Sequence, residues 1–378
     1  MNMKKFIALM LALLMAVSVT CALADGIKIS TIGPLTGPYA IYGTNVAYAI
    51  QIAVDEINAK GGIQFEYLTA QDDQGDPTLG VNAYNALMDD GMQILVGNVT
   101  SGACIAVGSE AFNDRTFLLT PSASNDLVTA DKDNVFQICF TDSNQGKASA
   151  QYIAAYGLAK KVGVIYNNAI DYSMGIRNTF VAEAAVQGLE IVAEATFSDD
   201  NNADFSVQVN AMKEAGAELV FLPIYYTPAS NILSRAKTVD YAPIFFGVDG
   251  MDGILTMEGF DPSLAEGVML LTPFSASSTD PVTAAFVAKY QETYNDIPNQ
   301  FAADAYDAVY VLSEICEIAG ITPDTDPAEA CEKLIAAITA EDYHYAGITG
   351  DMQWAKDGTV NKLPQAVTIV NGEYVLNE

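Results

Sequence analysis

Residues 31–43 read TIGPLTGPYAIYG. The stretch begins as the end of an apolar run, IKIS, and then places three glycines and two prolines ahead of AYAIQIAVDEINAKGGI. That continuation is helical: Ile41, Val46, Ile50, Ala53, Val54 and Ile57 fall on one stripe, and Gly61-Gly62 ends it. A strand that passes through a glycine-rich, hydroxyl-bearing loop into a helix is half of a βα unit. Loops at the carboxyl ends of such strands are where α/β folds bind ligands.

The same alternation continues outward from this loop. IKISTIGP, FEYLTAQDD, QILVGNVTS, TFLLTPSAS and VFQICFTD are short apolar runs; KVGVIYNN, EIVAEATF, LVFLPIYY, PIFFGVDG and GVMLLTPF form a second series. Runs of this kind suit strands covered on both faces. Between them lie helical patterns with start signals, such as Asp76-Pro77. The pattern predicts an α/β protein of two Rossmann-like lobes with parallel sheets, joined by three crossings near Thr141, Pro273 and Thr349. The expected division is 25–141 plus 274–349 for the N-terminal lobe and 142–273 plus 350–378 for the C-terminal lobe, with a ligand cleft between them.

Residues 1–24 read as a secretory signal peptide. Lys4 and Lys5 precede an uncharged apolar run from Phe6 to Val19, and Ala22-Leu23-Ala24 forms an A-x-A cleavage site. Export to the periplasm or the extracellular face of the cytoplasmic membrane follows. Cys21 offers an alternative lipid-anchored start, although Thr20 before it is bulkier than the usual Gly, Ala or Ser. With 378 residues the chain exceeds one comfortable core, and a formal net charge of -30 argues against nucleic acid as a partner. Of five cysteines, four remain after cleavage, none with metal-ligand spacing. Cys316 and Cys331 flank the turn ITPDTDPAEA and could pair across it, whereas Cys104 and Cys139 read as small apolar residues.

No catalytic set emerges. The single histidine, His344, lies in the polar stretch EDYHYAG, and there is no G-x-S-x-G, P-loop or H-E-x-x-H. The reading is therefore a non-enzyme that needs no cofactor and no metal. What the chain does have is small hydroxyl residues at successive strand ends: TIGPLTGPYAIYG, GNVTSGA and TPSASND in the first lobe. With the N-H groups of the following helices these bind an anion without a cationic side chain. NNAIDYSMG, PIYYTPAS and GVDGMDG bring Tyr172, Tyr225 and Asp249 to strand ends of the second lobe. V-D-G is an ordinary turn, and equally a lone carboxylate placed to face a cation. An anion-seeking wall, an isolated carboxylate and aromatic surfaces together suit an α-amino acid.

At these residues the chain resembles the leucine/isoleucine/valine-binding proteins, extracytoplasmic solute receptors of ABC importers with the type I periplasmic binding protein fold. The likeness spans essentially the whole mature chain and rests on IGPLTGPYAIYG, AVDEINAKGGI, DDQGDP, GNVTS, LLTPSASN, ICFTDSNQG and DYSMG, in that order. The resemblance implies roles for particular residues. Ser101 and Ser124 would be hydroxyls for the ligand carboxylate. Ser122 matches a position that contributes backbone groups, and Ala123 beside it belongs to the ligand-binding set. Tyr42 is the aromatic of the first loop, Tyr172 and Tyr225 are closing aromatics, and Phe301 is a side-chain-pocket residue. Asp249 would face the ammonium, where those receptors carry glutamate; the shorter side chain would reach it through water or a deeper ligand. Thr100 stands where some relatives have a disulfide cysteine, and Tyr39 is bulkier than many residues at its position. The implied function is a monomeric receptor for a neutral, branched-chain amino acid that closes by hinge motion and is read by a membrane permease. The alternative is the same module serving as a sensory receptor for an amino acid or small amide.

Overall fold

The computed structural model describes residues 26–377. The expected signal peptide and Cys21 lie outside the described residues. Every apolar run named above contains a strand, and the strands form two large sheets beside two short two-stranded ones, Ile32–Gly33 with Gln71–Asp72 and Tyr345–Gly347 with Gly350–Met352. The first has five parallel strands in the order Phe65–Tyr67, Ile27–Ser30, Ile94–Leu95, Phe117–Thr120, Val135–Gln137. The second has seven, in the order Glu373–Leu376, Gln365–Val370, Met269–Thr272, Ile244–Gly247, Leu219–Leu222, Lys161–Asn167, Glu190–Phe197.

The local signals act as expected. Along the helix Ala40–Lys60, Val46, Ile50, Ala53, Val54 and Ile57 are buried, and the helix packs on Gln300–Ala319. Gly61, with φ of 76°, ends it in a conformation that a side chain would strain. Ile41, also on the predicted stripe, is only half-buried and lies close to Gly253 of the other lobe. The Asp76 carboxylate accepts from Thr78 N at 2.8 Å and Leu79 N at 2.9 Å, and Pro77 occupies the first turn, so the helix Pro77–Asp89 starts where the sequence says. Among the described residues no helix is long and apolar enough to cross a membrane.

Three features differ from expectation. The second sheet is not wholly parallel, because Gln365–Val370 pairs antiparallel with Met269–Thr272 and Glu373–Leu376 pairs antiparallel with it. The turn between them is Asn371-Gly372, both at positive φ (53° and 77°), a hairpin dipeptide that was open to reading in the sequence. Second, Cys316 and Cys331 are free thiols, each buried in its own helix among apolar side chains. They contribute to the core as small hydrophobes, so packing and not a bridge accounts for them. Third, the chain's bonds to the first lobe continue past Thr349. Gln137 N donates to Gly358 O at 2.9 Å, Trp354 Nε1 donates to Gln137 O at 2.7 Å, and both Trp354 and Val360 are buried.

That return segment carries a buried ion pair. Lys362 Nζ lies 2.6 Å from Asp304 Oδ1, with both side chains 2% exposed. Nζ also donates to Thr349 Oγ1 at 2.6 Å, and that hydroxyl donates to Asp307 Oδ2 at 2.6 Å. Asp307 further accepts from Ile348 N and Thr349 N, both at 3.0 Å, and burial raises its carboxyl to about 6. Asp304 and Asp307 project from the helix Gln300–Ala319, which delivers Phe301 to the cleft one turn earlier.

Candidate ligand cleft

Between the lobes is a cavity of about 20 Å³ bounded by Tyr42, Val99, Thr100, Ser101, Ser122 and Phe301 from the first lobe and by Tyr172, Tyr225, Asp249 and Gly250 from the second. Beside it, sharing Thr100, Tyr172 and Tyr225, is a wider chamber of about 460 Å³ that reaches the mouth of the cleft past Tyr39 and Asp199. The lobes are shut on the inner cavity. Tyr42 Oη donates to Gly250 O across the cleft and accepts from Tyr226 N at 3.3 Å. Its ring meets Tyr225 edge-on at 5.5 Å and Phe301 edge-on at 5.0 Å.

The first-lobe wall is the start of the helix Ser101–Asp114. Thr100 occupies its N-cap in extended conformation without a side-chain cap, and the first intrahelical bond runs from Cys104 N to Thr100 O at 2.9 Å. The preceding N-H groups have no helical acceptor, as at any helix start. Thr100 Oγ1 is buried without a hydrogen-bond partner. Ser101 Oγ accepts from Asn125 N at 3.2 Å, which leaves its proton free to donate. Unpaired donors at the positive end of a helix dipole seek an anion.

The other hydroxyls are already engaged. Ser122 Oγ donates to Val99 O at 2.8 Å, and the N-H groups of Ser122 and Ala123 both point at Thr120 Oγ1, at 3.3 and 3.0 Å. Ser124 Oγ donates to Asp142 Oδ1 at 2.8 Å, and Asn125 Nδ2 donates to Asp142 Oδ2 at 2.8 Å. Of the nine residues expected to bind ligand, seven line the cavity; Ala123 and Ser124 stand behind it. Val99, Thr100 and Gly250 line it without having been singled out as ligand residues. The Gly250 position was legible only in part. A side chain there would drive into Tyr172 Oη and the Tyr225 ring, at 2.5 and 2.9 Å from its Cβ, so the V-D-G turn needs glycine for packing.

The second-lobe wall centres on Asp249, which is 1% exposed. Tyr172 Oη donates to its Oδ1 at 2.5 Å and Gly250 N at 2.7 Å. Gln145 Oε1 accepts from Asp249 N at 3.2 Å. These donors are neutral, and none cancels the cost of burying the charge. Burial therefore raises the carboxyl to about 7, against the pull of its hydrogen bonds from Tyr172 and Gly250. Asp142 behind the cavity is likewise pushed well up, by burial and then by the nearby Asp249. Among the described residues no Lys, Arg or His lines either chamber. The site thus sets an anion-seeking helix start opposite a buried carboxylate, with tyrosine and phenylalanine rings between them.

Residues 26–373 match the family described as periplasmic binding protein. The chain is 32% identical over 338 residues to the Leu/Ile/Val-binding protein BraC3 of Rhizobium johnstonii, covering 86% of this chain and 89% of that one. It is 30% identical over 311 residues to Leu/Ile/Val-binding protein homolog 3 of Brucella melitensis, covering 81% and 82%. Among solved structures it superposes with TM-score 0.82 and 29% identity on the branched-chain amino acid transporter substrate binding protein LivJ of Streptococcus pneumoniae in complex with isoleucine, covering 93% of this chain and 100% of that one. Two closed α/β lobes, a polar cleft between them and a family match over nearly the whole described length lead to one conclusion: the chain belongs to the periplasmic binding protein family.

Proposed function

We propose that the protein is the extracytoplasmic solute receptor of an ABC importer and that its solute is a neutral, branched-chain amino acid. The observation that carries this reading is the opposition of the two walls: an uncapped helix start at Thr100-Ser101 and a buried carboxylate at Asp249. A zwitterion meets both. Its carboxylate takes the free N-H groups and the Ser101 hydroxyl, and its ammonium supplies the charge that Asp249 lacks. The rings of Tyr42, Tyr225 and Phe301 then receive its apolar chain. Two relatives whose names record Leu/Ile/Val binding, and a structural neighbour solved with isoleucine, support the same solute class.

A cavity of about 20 Å³ has room for a water-sized group and no more, so an amino acid enters only as the lobes part. Binding is then hinge closure: the first lobe receives the carboxylate, and Tyr172, Tyr225 and Asp249 complete the site as the second lobe swings in. A permease that reads the closed form completes the cycle, and the bound solute undergoes no chemistry. Calorimetry with the neutral amino acids tests the reading. Leucine, isoleucine or valine is expected to bind, with affinity lost in Asp249→Ala. Unchanged affinity in that variant and in Ser101→Ala overturns the site.

A further inference from the structure

The opening loop does more than lead into a helix. Its base is tied to its own lobe, where the Asp72 carboxylate accepts from Leu35 N at 2.8 Å, Thr36 N at 3.3 Å and Thr36 Oγ1 at 2.5 Å. Its tip is tied to the other lobe. Thr227 Oγ1 donates to Pro38 O at 2.8 Å, and Tyr39 Oη donates to Asp199 Oδ1 at 3.3 Å. The receiving side is itself braced: Asn167 Nδ2 donates to the same Asp199 oxygen at 2.8 Å. The Tyr39 ring lies edge-on against Tyr225 at 4.8 Å, on the mouth side of the cavity. Gly37, at φ of 84°, forms the bend between base and tip and has open space around it.

From this geometry we infer that Pro34–Tyr39 is a clasp across the cleft, whose contacts to Thr227 and Asp199 set how long a bound solute stays. The inference rests on the closing cleft proposed above, but concerns residues that do not themselves line the inner cavity. Neither Tyr39 nor Thr227 lines that cavity, and both bonds exist only when the lobes are together. Their energy therefore belongs to the closed state alone. It slows opening and leaves encounter with the open form untouched.

The test uses L-leucine as the probe, with Tyr39→Phe and Thr227→Val as near-isosteric losses of one hydroxyl each. Stopped-flow fluorescence is expected to give a release rate about three- to tenfold faster in each variant and a further gain in the double variant, because a single net hydrogen bond is worth that much. The association rate stays at the wild-type value, because the solute meets the open form, and this separates a clasp from a merely structural role. Release rates within twofold of wild type in the double variant overturn the inference. If wild-type protein binds no leucine, the solute assignment is what fails. The clasp is then read from amide hydrogen exchange without solute: faster exchange over 199–203 and 225–231 in the double variant supports it, and identical exchange overturns it.

Discussion

Two aspartates on different parts of this protein are equally buried and differently supported. Asp304, on the helix beside the return segment, has the Lys362 ammonium 2.6 Å away. Asp249, in the cleft, has only neutral donors to its carboxylate: a tyrosine hydroxyl and a backbone N-H. The carboxylate beside the return segment is compensated from within the chain, whereas the cleft carboxylate has no such partner and, on the function proposed above, takes its cation from the solute. A cost left standing in the unliganded protein is a reserve of binding energy for the one solute feature that relieves it.

Removing the internal compensation should have the largest effect. Lys362→Met leaves Asp304 without its partner and Asp307 near it without a cation. Chemical denaturation is expected to show a loss of about 3–5 kcal/mol, the usual result of breaking a buried pair on one side. A loss below about 1 kcal/mol would remove the contrast between the two sites.

In the cleft the same kind of change should act on affinity instead of stability. Asp249→Asn keeps shape and hydrogen bonding but deletes the charge, and calorimetry should show a loss of about 2–3 kcal/mol in amino-acid affinity, the scale of a hydrogen bond to a charged group. The unliganded variant should melt no lower than wild type near pH 7, because it no longer buries an ionised group.

The contrast is sharpened by pH, and the signs can be worked out. With its carboxyl at about 7, Asp249 loses its charge as pH falls through 7. Affinity for an ammonium-bearing solute should then fall, by up to about tenfold per unit below that value. Stability moves the other way. Between the ordinary carboxylate range and pH 7 the folded state holds a proton that the unfolded state has released, so the unliganded protein gains stability as pH drops from 7 towards 5. Asp307, at about 6, adds to the same trend. Opposite slopes for affinity and melting point are the expected signature, and parallel slopes would refute it.

The smallest difference concerns the two serines. Ser101→Ala removes a proton that is free to reach the solute and should cost about 1 kcal/mol of affinity. Ser124→Ala removes a donor to Asp142 and should appear in stability first, with a smaller change in affinity. Equal effects of both on affinity would place Ser124 in contact with the solute after all.

Much of this architecture was legible in the sequence because its signals are local. Short apolar runs, the Asp76-Pro77 start and the Gly61 stop each act over a few residues, and each forms the element it predicts. The cleft was legible to the extent that strand ends converge in α/β folds, which brought Ser101, Tyr172, Tyr225 and Asp249 to one place. The hairpin at Asn371-Gly372 carried a readable turn signal, but its strand partner, Met269–Thr272, is a hundred residues away in the chain. Thr100 escaped notice as a site residue because an N-cap threonine ordinarily satisfies its own helix, and here it does not.

The sequence by itself determined the alternation of strands and helices, the two-lobed plan and the set of hydroxyls, rings and carboxylates available to a cleft, since propensity, capping and turn chemistry are decided between near neighbours. Tertiary structure alone decided how those groups are spent: that the Ser124 proton goes to Asp142, that Lys362 meets Asp304, and that Asp249 is left without a cation. A hydroxyl has one proton and an ammonium one charge, and which acceptor receives them depends on residues that only folding brings within 3 Å.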